Sequence, residues 1–180
     1  MSKPNTPSEF YEAIGLAVTQ WSRVEDAFCD LFCRLVLCAI TGGGIGKPEG
    51  EGFFILGNVF YSTTNFRSRL DLLDHMMSRL VFNNDALHAE WSAIKNKGTR
   101  LYSRRNVLAH GTVWGNEDKG GALFVRYSIF DAKARQEMDY QRVWAATPSF
   151  ARYAERITQL AIDVNRHLAG RKRKPEDAAH

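Results

Sequence analysis

No stretch of the 180 residues reaches the roughly 20 consecutive apolar residues that a membrane-spanning helix needs. The longest apolar run, Ala27 to Ile40, is broken by Asp30 and Arg34, so no membrane partner is expected. The opening residues, Met1-Ser2-Lys3-Pro4-Asn5-Thr6-Pro7, have no apolar signal core, and a cytoplasmic location is the simplest expectation. Cysteine is scarce and odd in number. Cys29, Cys33 and Cys38 all fall in one helical stretch, which suits reduced core thiols and argues against a disulfide framework. Cys29 and Cys33 lie one turn apart, but no second Cys/His cluster completes a tetrahedral set, so neither a metal nor another cofactor is expected. Internal repeats are also absent. The fragment Gly42-Gly43-Gly44-Ile45-Gly46-Lys47 superficially resembles a phosphate-binding loop. Thr41 stands where its first glycine belongs, however, Pro48 replaces the hydroxyl that would hold magnesium, and a helix precedes it where a strand should.

The sequence is 44% hydrophobic and 24% charged, ordinary for a globular chain, and its length suits one core. The net charge is +4 and the isoelectric point about 9.0. Arg171-Lys172-Arg173-Lys174 carry four of the positive charges, so the remainder is closer to neutral and bulk charge says little about nucleic acid. The expected organisation is a single helical domain over 1–170 and a disordered basic tail over 171–180.

Thr6-Pro7-Ser8-Glu9 is a helix start, with a capping hydroxyl, a first-turn proline and a glutamate three residues after the cap. Phe10, Ile14, Ala17, Trp21, Val24, Phe28, Leu31, Leu35 and Cys38 then form one apolar stripe in steps of three and four. Thr41 to Gly52 reads as a loop. A second helix is predicted over roughly 58–82, with Phe66, Leu70, Leu73, Met77 and Leu80 on one face. A third is predicted from Asp85 to His110, with Gly111 suited to end it and Arg105 falling on its apolar stripe. The period changes over 112–146, where Leu123 to Phe130 is rich in β-formers after Gly120-Gly121, and a small β-hairpin insert is expected. Thr147-Pro148 is predicted to cap a last helix carrying Phe150, Tyr153, Ile157, Leu160 and Val164. The predicted fold class is therefore all-α: a four-helix up-and-down bundle with a β-hairpin insert between the third and fourth helices.

The end of the third helix carries the chemistry. Arg105-Asn106-Val107-Leu108-Ala109-His110-Gly111 resembles the hallmark of the HEPN family, an Arg followed after four to six residues by a His, often with a polar residue directly after the Arg. Trp21-Ser22-Arg23-Val24-Glu25 is similar to a Trp-x-x-hydrophobic-Glu pattern on the first helix of many of these bundles. With the helix count, the resemblance covers most of the chain outside 112–146. It implies a helical bundle, RNA as partner, and a homodimer whose cleft is composite. In toxin members that work with a nucleotidyltransferase, the His is followed one residue later by a modifiable Tyr; Thr112 stands there in this chain.

The residue types suit phosphodiester chemistry on their own. A histidine exchanges a proton with a ribose 2′-hydroxyl or a leaving 5′-oxygen near neutral pH. An arginine offers permanent charge and paired donors to the phosphate as negative charge builds. Neither step needs a metal. On an ideal helix, positions five apart point roughly 140° away from each other, so Arg105 and His110 are not expected to share a face. Asn106 and His110 are, which places Asn106 to orient the imidazole. A site using both hallmark residues is then easiest to build by unwinding at Gly111 or by opposing two chains. Glu25 is either an ion-pair partner for Arg105 or a plain helix-face carboxylate. Lys95, Lys97, Arg100, Arg104 and Arg105 lie within eleven residues holding no acid, with Tyr102 among them. Of these, Lys97, Arg100, Arg104 and Tyr102 are the candidates for binding an RNA backbone and stacking a base; a solvated helix face is the competing account.

Two functions lead, ahead of a plain helical-bundle regulator in which the Arg105 to Gly111 string only caps a helix. One is a metal-independent endoribonuclease, toxin- or defence-related, with His110 as acid/base and Arg105 on the phosphate. The other is a non-catalytic HEPN module that dimerises and binds RNA or a protein partner such as an antitoxin.

Overall fold

The structure, a computed structural model, describes residues 6–41, 50–63, 65–116, 121–126 and 137–171. They form a mostly helical protein with a small antiparallel sheet. In chain order the elements are α1 (Pro7–Thr41), α2 (Glu51–Ser62), α3 (Phe66–Leu80), α4 (Asp85–His110), β1 (Thr112–Asn116), β2 (Ala122–Arg126), β3 (Glu137–Asp139) and α5 (Tyr140–Arg171). The phosphate-loop-like fragment and the tail beyond Arg171 lie outside the described residues. No helix among the described residues is long and apolar enough to cross a membrane.

α1 begins on the expected reciprocal cap: the Glu9 amide donates to Thr6 Oγ1 at 3.3 Å, and the Thr6 amide donates to Glu9 Oε2 at 3.2 Å. α4 spans the expected residues and is capped by Asn84, whose Oδ1 accepts from the Leu87 amide at 3.1 Å.

The helix expected over 58–82 is two helices, and the first begins earlier, at Glu51, within the stretch expected as loop. The apolar stripe through Phe66, Leu70, Leu73 and Met77 is buried as predicted, but the backbone breaks just before it. Asn65 is extended and its Oδ1 takes the Ser68 amide at 2.8 Å, which starts α3. Arg69 then reaches back to the end of α2, donating from Nε to the Thr63 carbonyl and from Nη2 to the Tyr61 carbonyl, both at 3.3 Å. Its guanidinium lies 5.4 Å and 5.1 Å from the ring centres of Phe60 and Tyr61. One side chain thus meets carbonyls that a helix end leaves without partners.

α5 starts seven residues before the expected cap at Thr147-Pro148. Asp139 caps it, accepting the Arg142 amide on Oδ1 at 2.9 Å, and Val143 and Ala146 extend the buried stripe upstream. Pro148 therefore sits inside the helix. It is exposed, as is Trp144 one turn earlier, whose carbonyl loses its helical partner to the ring.

Among the described residues the insert forms a three-stranded sheet in the order β1-β2-β3, one strand more than the expected hairpin. Thr112 pairs with Arg126, Val113 with Val125 and Trp114 with Phe124; Phe124 pairs in turn with Asp139, Val125 with Met138 and Arg126 with Glu137. Gly121, between β1 and β2, takes φ +74°, a backbone that suits glycine.

The chain divides into two compact units, Met1–Val24 with Gly98–Ala154 and Glu25–Lys97 with Glu155–His180, and α1, α4 and α5 each supply residues to both. In the first, Phe10, Trp21, Val125, Phe150 and Tyr153 are fully buried, and the Trp21 ring meets Phe150 edge-on at 5.1 Å between centres. In the second, Phe28 meets Phe66 at 5.6 Å and Trp91 at 6.4 Å, while Phe32 meets Phe60 at 5.4 Å. The Trp91 indole donates to Asp74 at 2.7 Å. All three cysteines are buried thiols outside any disulfide. Hydrogen bonding to Cys29, and then burial, hold the Cys33 thiol well above its ordinary range.

Candidate functional site

α4 delivers the motif to the end of the first unit. Leu101, Val107 and Leu108 are buried there, and Arg105, on the same stripe, is half-buried. Its Nε is shut off from solvent and has no hydrogen-bond partner among the described residues. Nη1 lies 3.2 Å from Asn106 Oδ1 and 3.3 Å from His110 Nε2.

Two geometric expectations change. Arg105 and His110 meet within one chain although their positions on the helix diverge, because the long arginine side chain spans the angle that separates the two Cβ directions. No unwinding and no second chain is needed to bring guanidinium and imidazole together. Asn106 does not orient the imidazole: its carbonyl oxygen takes the Arg105 donor. Arginine carries donors only, so the Arg105 contact is a hydrogen bond when Nε2 accepts, which corresponds to the Nδ1–H tautomer of His110.

Gly111 closes the helix for a steric reason. Its amide continues the helical ladder to the Val107 carbonyl at 2.8 Å. A Cβ at this position would fall 2.3 Å from Val107 O, 2.7 Å from Val125 Cγ2 and 2.9 Å from Arg126 O. The absence of a side chain lets β2 press directly against the end of α4.

The remaining candidates separate. Glu25 pairs with Arg69 at 3.6 Å, not with Arg105, because Arg69 is already held at the α2 end and turned toward that carboxylate. Its neighbour Asp26 accepts from the Tyr61 hydroxyl at 2.6 Å, and burial, then that bond, keeps the phenol protonated well above its usual range. Lys95 leaves the basic segment, since Asp74 and Asp71 hold it at 2.7 Å and 3.7 Å. Burial alone would raise the Asp74 carboxyl, but its bonds from Lys95 and Trp91 prevail and the net shift is downward. Lys97 is half-buried and belongs to the other unit. Tyr102 is half-buried with its ring 6.1 Å from that of Trp21, which makes it part of the core more than a free stacking surface. Arg100 and Arg104 are exposed, one turn apart, and in no ion pair among the described residues.

Residue patterns do not single out Trp114, Phe124 and Arg126. Thr112-Val113-Trp114 does carry strand-forming residues directly after Gly111, a local signal for β1, but the register that brings Arg126 beside Thr112 is not local. Among the described residues, no group of three His, Cys, Asp or Glu side chains is placed to hold a metal ion. Compared with known protein families, with curated proteins and with solved structures, the chain matches none.

Proposed function

We propose that the protein is a metal-independent endoribonuclease of the HEPN type, built on an up-and-down helical bundle and acting in a toxin or defence role in the cytoplasm. The observation that carries the reading is the convergence of the Arg105 guanidinium on the exposed His110 imidazole at 3.3 Å, at the end of a helix. A phosphate entering between them would draw the Arg105 donors onto its oxygens and free Nε2 to accept the 2′-hydroxyl proton. The 2′-oxygen then attacks phosphorus, the 5′-oxygen departs with the proton that His110 has taken up, returned directly or through water, and the products carry a 2′,3′-cyclic phosphate and a 5′-hydroxyl. Arg100 and Arg104 would hold the flanking backbone. The family resemblance favours a two-fold dimer that sets two such pairs opposite each other, with an antitoxin as a further partner. The Arg105–His110 contact within one chain removes the geometric need for that dimer.

A non-catalytic RNA-binding module is the second reading. It is favoured by the way Arg105 Nη1 already meets both Asn106 Oδ1 and His110 Nε2 at the helix end. Incubating the protein with mixed RNAs in EDTA separates the two. Cleavage by wild type that is lost in His110→Ala and Arg105→Ala supports the nuclease. Equal cleavage by all three removes the site, and RNA binding without cleavage supports the module.

A further inference from the structure

The sheet follows the motif directly in the chain, and its outer face has an unusual composition. Residues opposite one another on antiparallel strands share a face, and neighbours along a strand alternate. Val113, Val125 and Met138 therefore form the inner face, and Val125 and Met138 are buried. Thr112, Trp114, Phe124 and Arg126 share the outer face, edged by Glu137 and Asp139 on β3. Trp114 is 40% exposed and directly opposite the part-exposed Phe124, an aromatic pair turned outward where a soluble sheet would ordinarily carry polar residues.

We propose that this face is a stacking platform for single-stranded RNA, supplying substrate to the Arg105–His110 site; the proposal rests on the nuclease reading for the destination of the strand, and on the sheet alone for the binding. Trp114 is four residues from His110, at most about 14 Å along extended chain. Flat aromatic faces take unpaired bases of any identity, whereas a duplex keeps its base faces inside its own stack. The charge of the unit as a whole, not of the sheet face itself, favours an anionic polymer. The described residues of this unit hold seven arginines against four carboxylates, and only Arg126 among those arginines is salt-bridged, to Glu137 at 3.3 Å. The other unit holds nine basic against ten acidic side chains among its described residues, so the cationic excess lies in the unit that carries the platform and the motif. Glu137 and Asp139 repel phosphate along β3, which directs the RNA backbone to the β1 side.

The test uses full-length His110→Ala protein, so that RNA stays whole, with fluorescein-labelled octauridylate and a duplex of equal length. The single strand is expected to bind more tightly than the duplex and to quench tryptophan emission. Adding Trp114→Ala or Phe124→Ala should weaken binding by between about five- and a hundredfold, the range for loss of one stacked base. Trp144→Ala, the other partly exposed tryptophan, should leave it unchanged. Trp114→Phe keeps a ring in place and should retain most affinity while abolishing the quench, which covers the case in which Trp114→Ala fails to fold. Undiminished affinity in folded Trp114→Ala, or a quench that survives Trp114→Phe, overturns the platform. So does a Trp114→Ala change in oligomeric state with unaltered RNA affinity, which would assign the face to self-association. If wild type never cleaves RNA yet Trp114-dependent binding holds, the nuclease reading fails and the platform stands.

Discussion

Alanine in place of Gly111 is the most demanding local test of how the motif is held. The added methyl would sit 2.3 Å from Val107 O and 2.9 Å from Arg126 O, and neither backbone oxygen can rotate aside as a side chain could. Val125 Cγ2, at 2.7 Å, belongs to a fully buried residue with no room to yield. Relief requires β2 to move away from α4 or the last helical turn to open, and the second route sacrifices the 2.8 Å bond from the Gly111 amide. Overpacking of this kind costs about 1–3 kcal/mol, and a lost backbone hydrogen bond adds about 0.5–1.5 kcal/mol. A destabilisation of about 2–4 kcal/mol follows, roughly 5–15 °C in melting temperature for a chain of this size. Gly15 supplies the control, because it lies in the same unit, inside α1, exposed, with nothing within 4 Å of where a methyl would sit. Gly15→Ala should stabilise by about 0.5–1 kcal/mol through helix propensity. Thermal and urea unfolding followed by circular dichroism measures both. A Gly111→Ala protein that melts with wild type would refute the close approach of β2 to the helix end.

The Glu90–Arg156 pair sets an acid limit: two hydrogen bonds from Arg156 hold the Glu90 carboxyl below its ordinary range, against the opposing effect of burial. With the folded-state value depressed, the stabilisation is present above the unfolded value near pH 4 and disappears as pH falls through the folded one. Glu90→Gln should therefore be less stable at pH 7, by no more than about 1 kcal/mol because both partners are over a third exposed, and its melting temperature should fall less steeply between about pH 5 and 2. Asn65→Ala should cost about 1 kcal/mol in urea unfolding by removing the cap of α3, and an unchanged midpoint would mean that Arg69 alone holds the break.

Features that depend on neighbours in the chain are the legible ones. The Thr6/Glu9 cap, both ends of α4 and the stripes on α1 and α3 all appear where the residue pattern places them. The break before α3 is hidden from local patterns because half of its cause is Arg69, a residue of the next helix reaching back to carbonyls that precede the break. The start of α5 is masked because Pro148 is a stronger local signal than Asp139, although Val143 and Ala146 already continue the stripe. Arg105, Asn106 and His110 do meet in space, but their facing is not legible in the spacing, since ideal helical angles describe only where side chains begin. The true partner of Glu25 is Arg69, not Arg105, and a partner 44 positions away leaves no trace in spacing.

Arg105 occupies a position where the rhythm of α4 calls for leucine, and its Nε is enclosed with nothing to bond among the described residues. A core assembled for endurance alone would have no use for a cation there. Populations of this protein selected only for resistance to heat should drift toward methionine or leucine at that position, becoming hardier and losing the guanidinium that meets His110. Retention of arginine under such selection would mean that the residue is a fastening, and its replacement would mark it as a tool.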